Sequence, residues 1–393
     1  MTVTGGAVGA GPEVRDDESS ASDLAAEQRP LRDAARKLLD RHASSAQVHR
    51  IASGAPALDR SYWSAATELG WTSLLVSEEV GGGSISGRPL ADLAVLAGES
   101  GRHVAPGPLV PCNVVAWVLS QDNTGRHHDS VARIVDGSAV AAWALAEGHG
   151  SWDPANVTTR AERSRDGYVI SGVKQFVEAA PDADLFLVAA RHDDQVAHFL
   201  IEKSAPGLTV LPKRGLDPTR TYGTVEFAST PVPATAHVGG DLPGPHVAEQ
   251  AYCAAIAIQA AETTASMQHV FDMTIDWVTH RYAFGRVIGS YQAIKHRLAE
   301  HLLAVEAAAG VTAGLAAALD AGSPDTSVLA STAKAHIGDA AVTLVQDAIQ
   351  IHGGIGMTWE HDLHLHLRRT STNRVVYGDS VEHRERLCKL AGV

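Results

Sequence analysis

The densest group of chemically capable residues lies near the carboxyl end of the sequence, between residues 346 and 380. A long apolar helical pattern ends there in a glycine cluster, followed by a basic doublet and a terminal YGDS; the glycines are Gly353, Gly354 and Gly356. Glycine has no Cβ atom, so such a turn lets the backbone approach a ligand closely, although it also suits a simple helix C-cap. The rest of the sequence must decide between these two interpretations.

The composition is typical of a soluble globular protein with room for two or three structural regions. The chain has 393 residues, of which 45% are hydrophobic and 20% are charged, and its formal net charge is −13. It has no long basic run, which argues against a nucleic-acid or acidic-membrane partner. An anionic ligand would therefore need a local basic pocket.

Cysteine usage and the first residues together predict a cytoplasmic protein. The three cysteines are far apart and form no CxxC pair, so we expect neither a disulfide framework nor a zinc site. Residues 1–22 lack the pattern of a signal peptide and are interpreted as a mobile tail. The apolar runs are interpreted as too short to span a membrane. The 20 histidines are scattered, and we expect no metal site.

The hydrophobic pattern changes twice along the chain and predicts three domains. Helical periodicity predicts an N-terminal helical domain at residues 23–136. Short β-prone runs at residues 137–237, with a hairpin signal at Asp166-Gly167, predict an antiparallel β-sandwich or small barrel. Long helical patterns at residues 238–393 predict a C-terminal helical bundle. The predicted fold class is therefore α+β and multidomain.

Two motifs in the last domain resemble those of the flavin-dependent acyl-CoA dehydrogenase family. The first is RxxFGxxIxxxQ within RYAFGRVIGSYQAIKHRLA at residues 281–299, and the second is QxxGGxG within QIHGGIGMTWEHDLHLHLRR at residues 350–369. With the helical, β, helical order, the resemblance covers the chain beyond the tail. The second motif is similar to a branch found in actinobacterial breakdown of bulky acyl-CoA substrates. The resemblance implies an acyl-CoA dehydrogenase fold, FAD, an acyl-CoA substrate and an electron-transfer acceptor.

The resemblance assigns half of a flavin site to residues that reach across a subunit interface. In the family, these positions contact a flavin held mainly by the neighbouring subunit, and here they are Arg281, Phe284, Gln292, Gln350, Gly353 and Gly354. A guanidinium suits the dianionic pyrophosphate of the cofactor, and a glutamine offers both a donor and an acceptor. Without the motif, Arg281 would be interpreted as a helix-end arginine that bonds carbonyl groups.

The half of the site that would serve a flavin in the same chain departs from the family. Residues 143–151, WALAEGHGS, carry Ala146 where a threonine usually precedes the glutamate, and residues 172–178, GVKQFVE, carry Phe176 and Glu178 where many members have Trp and Thr. An aromatic ring remains, but the hydroxyl groups do not. The flavin contacts that the resemblance implies in this half are Trp143, Ala146, Ser151 and Phe176.

The catalytic base is the largest departure from the family. The reaction needs a carboxylate that removes a proton α to the thioester while a hydride leaves the β-carbon for the flavin. Gapless counting puts Tyr377 in the usual glutamate position, where a side chain that titrates near pH 10 is a poor base. The alternative position, on the helix before RxxFG, falls on Ala255 and Ile256. Asp379 is the nearest carboxylate, although we favour an N-capping role for it, and we expect Glu262 to make packing or interhelical contacts.

These departures leave three hypotheses. The chain is a subunit without a base that completes the flavin sites of a homologous partner in a heterotetramer, an arrangement with precedent in sterol side-chain breakdown. Alternatively, it is a homomeric acyl-CoA dehydrogenase with Asp379 as an unusual base. A different flavin oxidation on the same fold is the third hypothesis. Retention of the donated half and loss of the other half favour the first.

Overall fold

A computed structural model of the chain describes residues 26–148, 151–239 and 243–393. Within these ranges, helices come first, strands follow, and long helices complete the chain, so the predicted helical, β, helical order is confirmed. The tail that we expected at residues 1–22 lies outside the described residues.

The first region consists of helices that pack around apolar side chains. Its α-helices are α1 (Arg29–His42), α2 (Ser45–Ala52), α3 (Arg60–Glu68), α4 (Pro89–Arg102), α5 (Leu109–Ser120) and α6 (His128–Val135). Helix α3 begins after Asp59, whose carboxylate accepts the backbone N–H of Ser61 at 2.8 Å, as N-cap residues commonly do. Helices α4 and α5 pack against the first long helix of the last region, which ties the two helical regions together.

The middle region is a β-sheet whose strands form one hydrogen-bonded path, β6-β7-β3-β2-β4-β5-β8, with β1 attached to β4. The strands are β1 (Ala141–Ala144), β2 (Arg160–Ser164), β3 (Gly167–Glu178), β4 (Leu185–His192), β5 (Gln195–Glu202), β6 (Leu208–Lys213), β7 (Tyr222–Pro233) and β8 (His237–Val238). The predicted hairpin is confirmed, since β2 and β3 pair through Ser164 and Gly167. Gly167 has φ +151°, and a Cβ atom there would lie 2.2 Å from the carbonyl oxygen of Val232, so this position requires glycine.

The sheet departs from the predicted antiparallel arrangement in two pairings. Strand β1 pairs with β4 in parallel, with Ala141 opposite Leu185, and β2 also meets β4 in parallel at Arg160. A parallel pair needs a long crossover connection, and the chain between β1 and β4 supplies one through the β2–β3 hairpin. Period-2 patterning shows which face of a strand is buried but does not indicate the direction of its neighbour.

The last region is a bundle of long helices, and it carries both of the motifs found in the sequence. The helices are α7 (Gly244–His280), α8 (Gln292–Asp320), α9 (Thr326–His352), α10 (Leu363–Val375) and α11 (Ser380–Ala391). Between α7 and α8, the short strands β9 (Tyr282–Ala283) and β10 (Arg286–Val287) form an antiparallel hairpin. A 3₁₀ turn, Gly353–Met357, follows α9. The hairpin and this turn hold the motif residues at the same end of the bundle, where Trp277 of α7 stacks on His352 of α9.

Helix α8 corrects one expectation from the sequence. By length and composition it could cross a membrane, and it is the one such helix among the described residues. In this fold it packs against α7 and α9 instead, and 33% of its apolar window is buried. Our interpretation that every apolar run is too short to span a membrane is therefore wrong for α8. Some of its other apolar residues, including Leu302 and Leu303, are exposed on the outside of this chain.

Candidate functional site

The β9–β10 hairpin presents Phe284 at its tip in an unusual conformation. Phe284 has φ +53° and Gly285 has φ +83°, and the Phe284 side chain is 98% exposed. Two-residue hairpin turns with two positive φ angles favour Asn-Gly and related pairs, because bulky residues adopt this backbone region at a cost. The hairpin is held by the hydroxyl of Tyr291, which donates to the carbonyl oxygen of Ala283 at 3.1 Å. The Phe284 ring therefore buries almost no apolar surface within its own chain.

Arg281 is the C-cap residue that directly follows α7. Its guanidinium carbon lies 5.6 Å from the ring centroid of Trp277, one turn earlier. In the part of the chain that the structure describes, Arg281 forms no ion pair with a carboxylate, and its side chain is exposed. The helix-end interpretation, in which the guanidinium bonds carbonyl groups, also finds no such contact among the described residues. Arg281 therefore remains available to an anionic group outside this chain.

The glycine turn after α9 is open on its outer side. Gly353 is the C-cap of the helix, with φ +67°, so the capping interpretation that the sequence left open holds for this residue. Gly354 has no positive φ, and a Cβ atom there would meet nothing within 4 Å. Gly356 differs, because a Cβ atom would lie 2.8 Å from the carbonyl oxygen of Ile349. The chain itself thus requires glycine at 353 and 356, whereas Gly354 is free for a close approach from outside.

The remaining predicted contacts of the donated half are also exposed. Gln350 lies in the last turn of α9, and Gln292 is the first residue of α8. The side-chain amide nitrogen of Gln292 lies 2.6 Å from a ring nitrogen of His296. The structure brings Arg281 and the glycine turn together through Trp277, which stacks on His352 at a centroid distance of 5.2 Å. We call the six residues Arg281, Phe284, Gln292, Gln350, Gly353 and Gly354 the donated surface.

The other half of the predicted site is occupied by aromatic side chains. The ring of Tyr377 lies 6.3 Å from that of Trp143, with their planes 29° apart, and 5.1 Å from that of Trp152. The hydroxyl of Tyr252 donates to the carbonyl oxygen of Tyr377 at 2.7 Å. We call Trp143, Trp152, Tyr252 and Tyr377 the aromatic cluster; all four are buried. Trp143 and Tyr377, which the resemblance places at the flavin ring and in the base position, therefore pack against each other.

Tyr377, which gapless counting places in the base position, does not have the properties of a base. Its side chain is 4% exposed, and burial, with a smaller contribution from Glu178, raises its pKa well above the usual value near 10. The phenol therefore stays protonated at neutral pH. Its backbone has φ +65°, a conformation that costs energy for a bulky residue. In the alternative base position, Ala255 and Ile256 are fully buried core residues of α7.

Asp379 caps the last helix, as the favoured interpretation predicted. Its Oδ1 accepts the backbone N–H groups of Val381 at 2.9 Å and Glu382 at 3.0 Å. The Glu382 carboxylate accepts the backbone N–H of Asp379 in return, at 3.0 Å, which completes a capping box. Among the described residues, Oδ2 of Asp379 has no hydrogen-bond partner.

Phe176, Ala146 and Ser151 lie on the β-region side of this half. Phe176 is 49% exposed at a bulge of β3, with φ +51°. Ala146 is buried, and its carbonyl oxygen accepts the N–H of Gln175 at 2.8 Å. The hydroxyl of Ser151 accepts a hydrogen bond from the Asn156 side chain at 3.3 Å. Of the predicted ring contacts, only Phe176 keeps an open aromatic face.

Sequence reasoning missed a buried ionic network between the β-sheet and the bundle. Arg369 donates to Glu262 at 2.6 Å and also binds Asp217, while Arg220 binds Glu262 and donates to Glu178 at 3.1 Å. Burial alone would raise the pKa of Glu262, but the two arginines hold it below its usual value. At Glu178 burial dominates, and its pKa is raised despite Arg220. The network confirms that Glu262 makes interhelical contacts.

The only sequence signal for this network was the basic doublet, of which Arg369 is the buried member. Its partners come from a loop after β6 and from α7, far away along the chain, so no local pattern could reveal the pairing. Buried charges of this kind require several well-placed partners to offset the cost of leaving water. The network fills part of the space between the sheet and the bundle with the chain's own side chains.

The comparisons with known proteins agree with this architecture. Family models described as the N-terminal, middle and C-terminal domains of acyl-CoA dehydrogenase match residues 25–124, 142–230 and 253–389. The chain therefore belongs to the acyl-CoA dehydrogenase family. It is 29% identical over 345 residues to acyl-CoA dehydrogenase IpdE2 of Mycobacterium tuberculosis (strain ATCC 25618 / H37Rv), covering 87% of this chain and 90% of that protein.

Two solved structures are similar over nearly the whole chain. A variant of the Tcur3481-Tcur3483 steroid ACAD has a TM-score of 0.84 and 26% identity, covering 94% of this chain and 98% of that one. The ChsE4-ChsE5 complex from Mycobacterium tuberculosis has a TM-score of 0.82 and 21% identity, covering 93% and 98%, respectively. At that identity, the second likeness shows the fold alone. Both confirm the predicted fold class.

Proposed function

We propose that this chain is a subunit of a heteromeric, FAD-dependent acyl-CoA dehydrogenase, and that it completes the flavin site of a homologous partner without a working base of its own. The observation that carries this proposal is the burial of Tyr377, which takes the base position and is 4% exposed within the aromatic cluster. A protonated phenol does not remove an α-proton at neutral pH, and this phenol is packed against Trp143 and Trp152.

FAD fits the two halves of the chain unequally. The donated surface offers Arg281, a cation without a carboxylate partner among the described residues, and the open backbone of Gly354; Trp277 and His352 link the two. Such an arrangement suits a pyrophosphate, because charge-assisted bonds from a guanidinium and close backbone approach act together. The half with Trp143 and Tyr377 is closed by mutual burial. The asymmetry favours a donor role over an independent active site.

Each part of the donated surface has a distinct task in this proposal. When bound, FAD supplies the acceptor for the hydride that leaves the β-carbon of the acyl group. Arg281 binds the pyrophosphate, and Gly354 lets the backbone lie close to the cofactor. Phe284, exposed and held in a conformation unfavourable to it, packs into the complementary surface of the partner. The partner supplies the base and the walls that enclose the substrate.

The family and the relatives support a proposal for the partner, the substrate and the location. The partner is a homologous chain with a glutamate where this chain has Tyr377, and two copies of each chain form a heterotetramer. The substrate is an acyl-CoA thioester of the bulky, steroid-derived class, which is supported by the similarity to the steroid ACAD. An electron-transfer acceptor reoxidises the flavin. A cytoplasmic location is part of the proposal and agrees with the three free cysteines.

A second candidate is a homomeric dehydrogenase with Asp379 as the base. One observation favours it: both capping bonds use Oδ1, so Oδ2 of Asp379 has no partner in the described ranges. A capping carboxylate is nevertheless fixed at a helix end. Two residues before it, Tyr377 is packed against Trp143. The donor proposal therefore accounts for more of the geometry.

Arg281→Ala in the complex with the partner tests the donor role. We expect flavin occupancy to fall at least several-fold, because one charge-assisted contact to the pyrophosphate is lost. Arg384→Ala is the matched control, since Arg384 is an exposed arginine on α11 that pairs with Asp339 at 3.4 Å. Flavin absorbance per complex gives the occupancy. Equal occupancy in Arg281→Ala and wild type would count against the donor role.

A further inference from the structure

A column of stacked side chains links the two separate parts of the donated surface. Trp277, half-buried in the last turn of α7, carries the Arg281 guanidinium 5.6 Å from its ring centroid. The same indole stacks on His352, with centroids 5.2 Å apart and planes only 15° apart. His352 is the last residue of α9 and directly precedes Gly353. The column therefore runs from the cation to the glycine turn.

His352 is itself held in place from two sides. Its Nδ1 donates to the carbonyl oxygen of Ala348 at 2.8 Å, which fixes the tautomer and the ring plane. The ring of His361 lies 4.9 Å away, at 70° to it, and closes the far end of the column. The ring that receives the indole is therefore fixed before any ligand arrives.

We propose that Trp277 and His352 are positioning residues that hold Arg281 and the Gly353-Gly354 turn as one preorganised anion-binding unit. The inference rests on the proposed flavin contact. Arg281 and the turn belong to different helices, and the described residues give the guanidinium no other charged or aromatic anchor. An arginine side chain loses considerable rotamer freedom when it binds a ligand. Stacking on a fixed indole removes part of that freedom beforehand, which lowers the cost of binding.

The same geometry predicts which substitutions preserve the unit. Phenylalanine at 277 keeps an aromatic face for both neighbours, whereas leucine removes the cation–π contact and the ring stack together. Phe271→Leu is the matched control, because Phe271 is a partly buried aromatic residue on α7 outside the column. Both leucine variants remove one ring from the same helix, so a general effect on helix packing would appear in both.

The test is an FAD titration of the purified wild-type and variant assemblies, with thermal unfolding of each measured in parallel. We expect Trp277→Leu to raise the Kd for FAD about tenfold, Trp277→Phe to restore most of the affinity, and Phe271→Leu to leave the Kd unchanged. The double variant Trp277→Leu/His352→Leu should bind no more weakly than Trp277→Leu, since both residues act in one unit.

Two results would overturn the inference: a Kd for Trp277→Leu that matches wild type, or equal weakening in Trp277→Leu and Trp277→Phe. Failure of the proposed function is distinguishable from this. If the lone chain holds FAD and turns over an acyl-CoA, the partner-subunit proposal fails. The donated surface would then act between identical chains, and the Trp277 variants would still test whether the stacked side chains preorganise it. An assembly that takes up no FAD at all overturns both.

Discussion

The phenol ring of Tyr377 stacks on the indole of Trp143, with centroids 6.3 Å apart and planes 29° apart. The pair joins the residue predicted to lie in the family's base position to a residue predicted to touch the flavin ring. Offset stacking of buried aromatic rings adds about 0.5–1.5 kcal/mol beyond their burial. The stacked rings thus stabilise the fold at the place where the resemblance predicts the chemistry. In this half of the site, the side chains pack against one another.

Gly354→Ala should weaken flavin binding without destabilising the fold. A Cβ atom at 354 meets nothing within 4 Å, so we expect the free energy of unfolding to change by less than about 0.5 kcal/mol. Flavin affinity of the complex should fall several-fold, because the methyl group lies where the cofactor approaches. Gly356→Ala is the contrasting control, since its Cβ would lie 2.8 Å from the carbonyl oxygen of Ile349 and should destabilise the fold. Undiminished flavin affinity in Gly354→Ala would contradict the assignment.

Phe284→Asn should have opposite effects on the fold and on the assembly. Asparagine tolerates positive φ and is preferred before glycine in a two-residue hairpin, so the isolated chain should be as stable as wild type or slightly more stable. The complex should dissociate more readily and retain less flavin, because an exposed apolar anchor is lost. Thermal unfolding and the concentration dependence of assembly provide the two measurements. Ile85→Asn, an exposed apolar residue of the first helical region, is the control. An assembly that is insensitive to Phe284→Asn would argue against an interface role.

Two substitutions at Asp379 distinguish a cap from a base. Asparagine also caps helices well, so Asp379→Asn should leave both stability and the activity of the complex nearly unchanged. Asp379→Ala should lower the free energy of unfolding by about 1 kcal/mol, again without loss of turnover. Denaturant unfolding and acyl-CoA turnover are measured for both variants. A large drop in kcat for Asp379→Asn, with normal stability, would instead assign the carboxylate to catalysis.

Lys334 should give the protein a pH-dependent stability in the alkaline range. Its ammonium is fully buried and donates to the carbonyl oxygens of Asn373 at 2.6 Å and Val376 at 2.7 Å. Burial lowers the pKa of Lys334 from 10.5 to about 7. Between these values the unfolded chain binds more protons than the folded chain, so the free energy of unfolding should rise with pH over this window.

Lys334→Gln tests that dependence because it keeps hydrogen-bond donors and removes the titrating group. The slope of the unfolding free energy between pH 7 and pH 10 should be flatter in the variant than in wild type. Burial also lowers the pKa of Lys174, to about 8, and this adds a slope of the same sign to both proteins. Parallel slopes in variant and wild type would show that Lys334 does not titrate in this window.

The sequence predicted the order of regions, the hairpin after β2, the glycine cap and the capping of α11 because each depends on local signals. Hydrophobic periodicity indicates which face of one element is buried. Aspartate or glycine at a helix end satisfies backbone groups of the adjacent turn, so the signal lies within a few residues. The same reasoning found the donated surface only through two motifs at a fixed spacing. Those residues are exposed, so composition or periodicity alone would not single them out.

The features that sequence reasoning missed all depend on contacts between distant segments. Nothing local indicates that Trp143 meets Tyr377, that Arg369 is buried against Glu262, or that Trp277 stacks on His352. The parallel pairing of β1 with β4 was missed for the same reason, since strand direction is set by the tertiary path. Helix α8 was interpreted as too short an apolar run because its charged first turns obscure a long alanine-rich remainder.

The most direct test of the account is the flavin content and activity of the chain purified alone and with its homologous partner. We expect the lone chain to bind no stoichiometric flavin and to turn over no acyl-CoA, and we expect the complex to hold one FAD for every two chains and to be active. Stoichiometric flavin with acyl-CoA turnover by the lone chain would contradict the account, because it would require a working base and an open ring site within the aromatic cluster.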